Sequence, residues 1–276
     1  MKEVFTMWKY TQMIVLTALS AAIYAAVLIP FKGFVIIPSL TEVRPANVFP
    51  FVFGLLFGPA GAWGAAIGNL IGDFFGTLTL GSIGGFVGNF LLGYIPYKLW
   101  GAIFYNSKDK EPSINSGKKL AAYIAVVIVS SAACALVISW FADLIRLAPF
   151  AALSVIITIN NAIAGIVLGP FILLIIYPRI KQWGLLWTEI MRPEDVSPSV
   201  SPRLGQLLVW IGAIGGVIVG LIIALGLYNQ AMAAAGFGKG TQGGVALAII
   251  MIPFIALVFI GGWMLGGKEQ VLAMQE

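Results

Sequence analysis

The chain has 276 residues, 60% of them hydrophobic and only 10% charged, with a mean hydropathy of +0.99. Soluble domains carry about a quarter charged residues, so these values exclude a soluble globular fold and define a polytopic membrane protein. A spanning helix takes about 20 residues, which leaves room for at most eight or nine spans and no separate soluble domain.

Histidine is absent and Cys134 is the single cysteine. An intrachain disulfide and a Cys/His zinc site are therefore excluded, and the commonest general base is missing. Cys134 lies in an apolar run and reads as a small buried hydrophobe. The net charge of +5 calls for a test of its placement across the membrane rather than for a nucleic-acid partner.

In chain order, 11–30 reads as a first span closed by Pro30, with an apolar core too long for a cleaved leader. Residues 31–43 form a loop. Two short helices, 44–58 and 60–76, are split by "GPAG". A fourth span covers 82–104, and "NSKDKEPSINSGKK" is a polar loop after it. Four further spans follow at 120–142, 150–177, 205–228 and 244–266, giving an all-α protein with eight spans. The segment 179–203 has three prolines, several charges and two tryptophans. It reads as a cytoplasmic linker lying at the interface between a six-helix body, 1–178, and a C-terminal transmembrane hairpin, 204–276.

With both termini inside, the inner cations are Lys2, Lys9, Lys98, Lys108, Lys110, Lys118, Lys119, Arg179, Lys181, Arg192, Arg203 and Lys268. The outer ones are Lys32, Arg44, Arg146 and Lys239. That is 12 against 4 of the 16, the asymmetry expected when both termini are cytoplasmic in a cell-membrane protein.

Ionisable and amide groups at membrane depth cost a few kcal/mol each and mark function or helix contacts. Glu42 and Arg44 fall at the outer end of the second helix. Their spacing of two, just before Pro45, sends them in different directions and admits either an interfacial pair or the rim of a pocket. Asn47 follows. Asn69 and Asp73, four apart, share one face of the third helix. Asn89 sits in the outer half of the fourth, and Asn160 and Asn161 enter the sixth from outside. Each amide alone reads as helix glue. Gathered in the outer half of four helices, the set points to a solute pocket. Asp143 and Arg146 read as a local ion pair, with Trp140 and Phe141 as interface anchors or a stacking wall. "IGNLIGD" and "VGNFLLG" put Gly-Asn on consecutive helices. Ala18, Ala22 and Ala26 form a stripe that lets another helix approach closely, within the bundle or from another membrane protein.

"ALSAAIYAA" followed by "FGLLFGPAGAWGAAIGNLIGDFFG" resembles the substrate-binding S components of energy-coupling factor (ECF) vitamin transporters, over roughly residues 11–178. "EVRPANVFP" is similar to the S components assigned to queuosine precursors. The resemblance implies a six-helix body with its pocket near the outer face, capped by the loops after helices one, three and five. It also implies a transmembrane coupling subunit and two ABC-type ATPases as partners, with the alanine stripe facing the coupling subunit. Toppling of the body in the membrane would release the solute inside. The linker and last two spans depart from that pattern. A stand-alone secondary transporter of a small polar solute and a membrane scaffold subunit are the alternatives. An enzyme is not expected, because acid–base groups are scarce in the spans, and no cofactor or metal motif is present.

Overall fold

A computed structural model describes residues 1–37, 41–42, 44–107, 109–226 and 245–275. Lys108 and Lys239, counted in the charge asymmetry, lie outside the described residues. All eight expected spans appear as helices. The first is α2 (Thr11–Leu28), ending in a 3-10 turn that begins at Ile29, beside Pro30. It is preceded by the short α1 (Lys2–Thr6). The loop after it holds a small antiparallel hairpin, β1 (Val35–Ile37) with β2 (Thr41–Glu42), in which Val35 faces Glu42. The sequence had suggested only a loop there.

The second and third spans, α3 (Val48–Phe57) and α4 (Pro59–Asp73), have 10 and 15 residues. At 1.5 Å per residue they reach only about 15 and 22 Å, short of the roughly 30 Å hydrocarbon core. Gly58 turns the chain between them with φ of +54°, a conformation that favours glycine. The missing depth is filled by other parts of the chain. Trp187, in the short α8 (Trp187–Ile190), packs on Gly58 and is 2% exposed. Trp63 Nε1 donates to the Val4 carbonyl at 3.0 Å. The segment 179–203 therefore does not simply lie on the interface. Trp183 is exposed, but Leu186, Trp187, Met191 and Val196 are buried.

The fourth span, α5 (Gly81–Ile103), packs on α3, α4 and the fifth, α6 (Gly117–Leu144). Glycine makes one of these approaches possible: a Cβ on Gly54 would meet the Gly93 carbonyl oxygen at 2.2 Å. The sixth, α7 (Phe150–Gln182), continues through Pro170 and Pro178 and packs on α6 and α3.

The last two spans are α9 (Pro202–Trp210), which runs through a π turn (Ile211–Gly215) into α10 (Gly216–Ala224), and α11 (Val245–Met264). They pack along the body over its whole depth. Tyr94 Oη donates to the Gly262 carbonyl at 2.8 Å, and Trp140 Nε1 to the Ala248 carbonyl at 2.9 Å. A final α12 (Lys268–Gln275) returns under α8 and α5.

Among the described residues, five helices are long and apolar enough to cross a membrane. The protein is thus an all-α polytopic membrane protein: a six-helix body with a two-span C-terminal addition. Both chain ends lie at the same end of the bundle, held near Ser197 and Met191.

A buried charge pair sits at that terminal end. Glu3 and Lys98 are both buried and in contact, with Tyr94 and Tyr97 rings beside Lys98. Burial pushes the Glu3 carboxyl up, but Lys98 and then the Met1 ammonium outweigh it and hold the carboxyl down at about 2.

Candidate solute pocket

The C-terminal ends of α2 and α4 and the N-terminal ends of α3, α5 and α7 meet at the opposite end of the bundle. A polar cavity with about 50 Å³ of enclosed space and an open mouth lies among them. Seven of the eight polar residues singled out in the sequence line it: Arg44, Asn47, Asn69, Asp73, Asn89, Asn160 and Asn161. The eighth, Glu42, is placed by its backbone alone, opposite Val35 in β2 and two residues before Arg44.

Two rows of hydrogen bonds organise these groups. In the first, the Arg44 N–H donates to Asn160 Oδ1 at 3.3 Å and Arg44 Nη1 to Asn69 Oδ1 at 2.8 Å. Asn69 and Asp73 are one turn apart on α4, and Asn69 Nδ2 accordingly donates to Asp73 Oδ2 at 3.2 Å. The other Asp73 oxygen accepts from Thr77 Oγ1 at 3.0 Å and lies 3.6 Å from Lys32 Nζ. Lys32, in the turn after α2, also donates to Thr77 Oγ1 at 2.6 Å, tying the first loop to the end of α4.

The second row lies deeper. Tyr24 Oη stands 2.6 Å from Asn47 Oδ1 and 3.1 Å from Asn89 Oδ1, with one hydrogen to serve both. Asn89 Nδ2 donates to the Gly85 carbonyl at 2.8 Å, and Asn47 Nδ2 donates to Asn161 Oδ1. Among the described residues the remaining group of Asn161, its Nδ2 donor, has no oxygen acceptor, its neighbour there being the Cys134 thiol, a weak acceptor, although the side chain is only 2% exposed. A buried donor left unmade costs about 1–3 kcal/mol. An acceptor entering the cavity removes that cost.

Ile138, Ala142, Leu147, Leu153 and Ile157 form the apolar walls, with Cys134 among them. Gly85 keeps the space beside Asn69 open: a Cβ there would come within 3.2 Å of Asn69 Nδ2. The cavity therefore offers a guanidinium, a carboxylate and several amides between aliphatic walls. That set suits a small flat molecule carrying both donors and acceptors on its edges.

Some positions of this polar network and its cavity were not evident in the sequence. Tyr24 joins two amides from the middle of an alanine-rich helix, where nothing in the local pattern marks it. Thr77, Thr79 and Ser82 line the mouth; the polar run "TLTLGS" was a usable signal. Cys134 is buried as expected, yet it lines the cavity. The Gly-Asn echo acquires a reason: Gly68 packs on Ala21 and Gly88 on Ile138, and the adjoining Asn69 and Asn89 both reach the pocket. Trp140 and Phe141 are not a stacking wall. Trp140 bonds α11, and Phe141 packs on Gly84. Asp143 Oδ2 accepts the Phe150 N–H at 2.9 Å, capping the start of α7.

A bundle of membrane-length apolar helices that gathers amides, a guanidinium and a carboxylate around a cavity at one end defines the class, a polytopic membrane protein with a candidate solute site. The chain belongs to the QueT transporter family, whose model matches residues 14–178, and so is a transporter S component. No curated protein matches it, and no solved structure does.

Proposed function

We propose that the chain is the solute-capturing subunit of an ECF-type ABC importer. It takes a queuosine precursor, or another vitamin-like flat heterocycle, from outside the cell. The pocket faces outward and both termini are cytoplasmic, in keeping with the 12-to-4 distribution of cations. A transmembrane coupling subunit and two ABC-type ATPases supply the energy. No residue of this chain has to hydrolyse ATP.

The observation that carries the reading is the Asn161 donor, without an oxygen acceptor, at the base of a cavity already lined by Arg44, Asn69 and Asp73. Arg44 and Asn161 would donate to ring carbonyls or ring nitrogens, and Asp73 would accept from ring N–H or amino groups. Asn47, Asn69, Asn89 and Asn160 hold these groups in place or contact the ring themselves, and Glu42 stands by the entrance. Ala18, Ala22 and Ala26 are exposed on α2, whereas Ala21 and Ala25 are buried within the bundle. The exposed stripe is thus free to receive the coupling subunit.

The test is mass spectrometry of the small molecule retained by the purified protein, followed by titration of solute-stripped protein with a queuosine precursor. Saturable binding that Asp73→Asn and Asn161→Leu weaken, and copurification of an ATPase with the tagged chain from its native membrane, are expected. No binding by folded protein would overturn the solute assignment. Uptake in cells lacking every ECF ATPase would overturn the importer assignment.

A further inference from the structure

A second concavity lies at the opposite end of the protein, on the seam between the six-helix body and the C-terminal addition. Its walls are the end of α5 and the turn after it (Phe104, Tyr105), the start of α6 (Lys118) and the start of α9 (Ser201, Arg203, Gln206). Among the described residues no carboxylate lines it.

Most cations of this end of the protein are already engaged, Lys2 and Lys110 by the backbone carbonyls of Glu194 and Glu269. Lys9, Lys98, Lys119, Lys181 and Arg192 each have a carboxylate partner: Asp195, Glu3, Asp109, Glu111 and Glu194. Lys118 and Arg203 make no ion pair or hydrogen bond among the described residues, and both line the same cleft. Arg179 and Lys268 are also without a carboxylate partner among the described residues but do not line this cleft. Lys118 and Arg203 further occupy the first turns of two helices, α6 and α9, whose N-terminal ends add positive potential.

The surroundings identify the anion. One turn on from Arg203 along α9 comes Leu207, and then Ile211 at the start of the π turn; they are 54% and 44% exposed. Tyr105, 37% exposed, stands at the rim, the place of an aromatic at headgroup level. A phosphate lodged between Lys118 and Arg203 would have an apolar ridge beside it running into the bilayer. We propose that this cleft binds the phosphate of an anionic membrane lipid, with an acyl chain lying along Leu207 and Ile211. Basic pockets between spanning helices suit such headgroups. The bound lipid would join the C-terminal addition to the body, since Lys118 comes from one and Arg203 from the other.

The experiment measures lipid retained by the full chain in native mass spectrometry, and its melting temperature in phosphatidylglycerol against phosphatidylcholine nanodiscs. Wild type is expected to keep one anionic lipid and to melt higher in phosphatidylglycerol. Lys118→Gln with Arg203→Gln should weaken retention at least tenfold and abolish the difference in melting. Lys118→Arg with Arg203→Lys, which keeps both charges, should retain the lipid and show that the site tolerates substitution. Arg179→Gln with Lys268→Gln removes the same charge elsewhere and should behave as wild type. Equal loss in that pair would reduce the effect to net charge and overturn the proposal. So would an equal rise in melting temperature with inorganic phosphate in phosphatidylcholine, or unchanged lipid retention in the Lys118/Arg203 variant.

Discussion

Asn69→Ala tests whether the first hydrogen-bonded row acts as a unit. Asn69 accepts from Arg44 at 2.8 Å and donates to Asp73 at 3.2 Å, so one substitution removes two hydrogen bonds to ionised partners. Such bonds contribute about 1.5–3 kcal/mol each. The cavity mouth admits water, which replaces part of that, so the expected loss in solute binding is about 1–3 kcal/mol. That corresponds to a Kd raised roughly fivefold to 150-fold. Arg44→Ala should cost a similar amount, because the guanidinium cannot lose its charge and its partner is stranded. Since the two residues touch, the double variant should lose less than the sum, with a coupling of about 0.5–3 kcal/mol. The assay is titration of purified variants with the copurified solute or a queuosine precursor, with melting temperature recorded for each. Arg192→Ala is the control, its 3.8 Å contact with Glu194 being fully on the surface. Unchanged affinity in both single variants with lowered melting temperatures would show that Arg44 and Asn69 only hold helices together.

Ala22→Leu, alone or with Ala18→Leu, should block uptake in cells while leaving solute binding by the purified protein intact, because both positions are exposed on α2; parallel loss of binding and uptake would place the stripe inside the bundle's own packing. Truncation after residue 203 should leave a body that still binds solute within a fewfold of wild type but melts lower, since the bonds of Tyr94 to Gly262 and Trp140 to Ala248 are lost; a truncated chain that is made but aggregates in detergent would argue against a separable hairpin. Glu3→Gln should lower the melting temperature at neutral pH. A carboxyl held down at about 2 in the folded protein contributes stability above its unfolded value of 4.5, and that contribution fades as pH falls from there toward 2. Melting curves across that window should therefore decline in wild type and be flatter in the variant; identical acid limbs would remove Glu3 from the account.

Membrane class, span order and most of the pocket residues were legible in the sequence, for one physical reason. In an apolar segment each amide or charge carries a cost, so the costly residues stand out, and helical spacing tells which share a face. Asn69 and Asp73 could be paired from their separation of four, and the gathering of amides toward one side followed from the direction of each span. What the spacing left open was whether separate helices turn those residues toward one another. Only tertiary packing decided that Tyr24 bridges Asn47 and Asn89, that Lys32 reaches back to Asp73 and Thr77, and that the Asn161 donor is left without an oxygen acceptor. Those hydrogen bonds join residues 23 to 65 positions apart, and no local pattern encodes them. The same holds at the other end of the protein. The shortness of α3 and α4 could be counted in the sequence, but that Trp187 packs on Gly58 and the N-terminal segment on Trp63 depends on the meeting of segments far apart in the chain. So does the seam cleft, where Lys118 and Arg203, ordinary surface cations by sequence, converge because the last two spans fold back along α5 and α6.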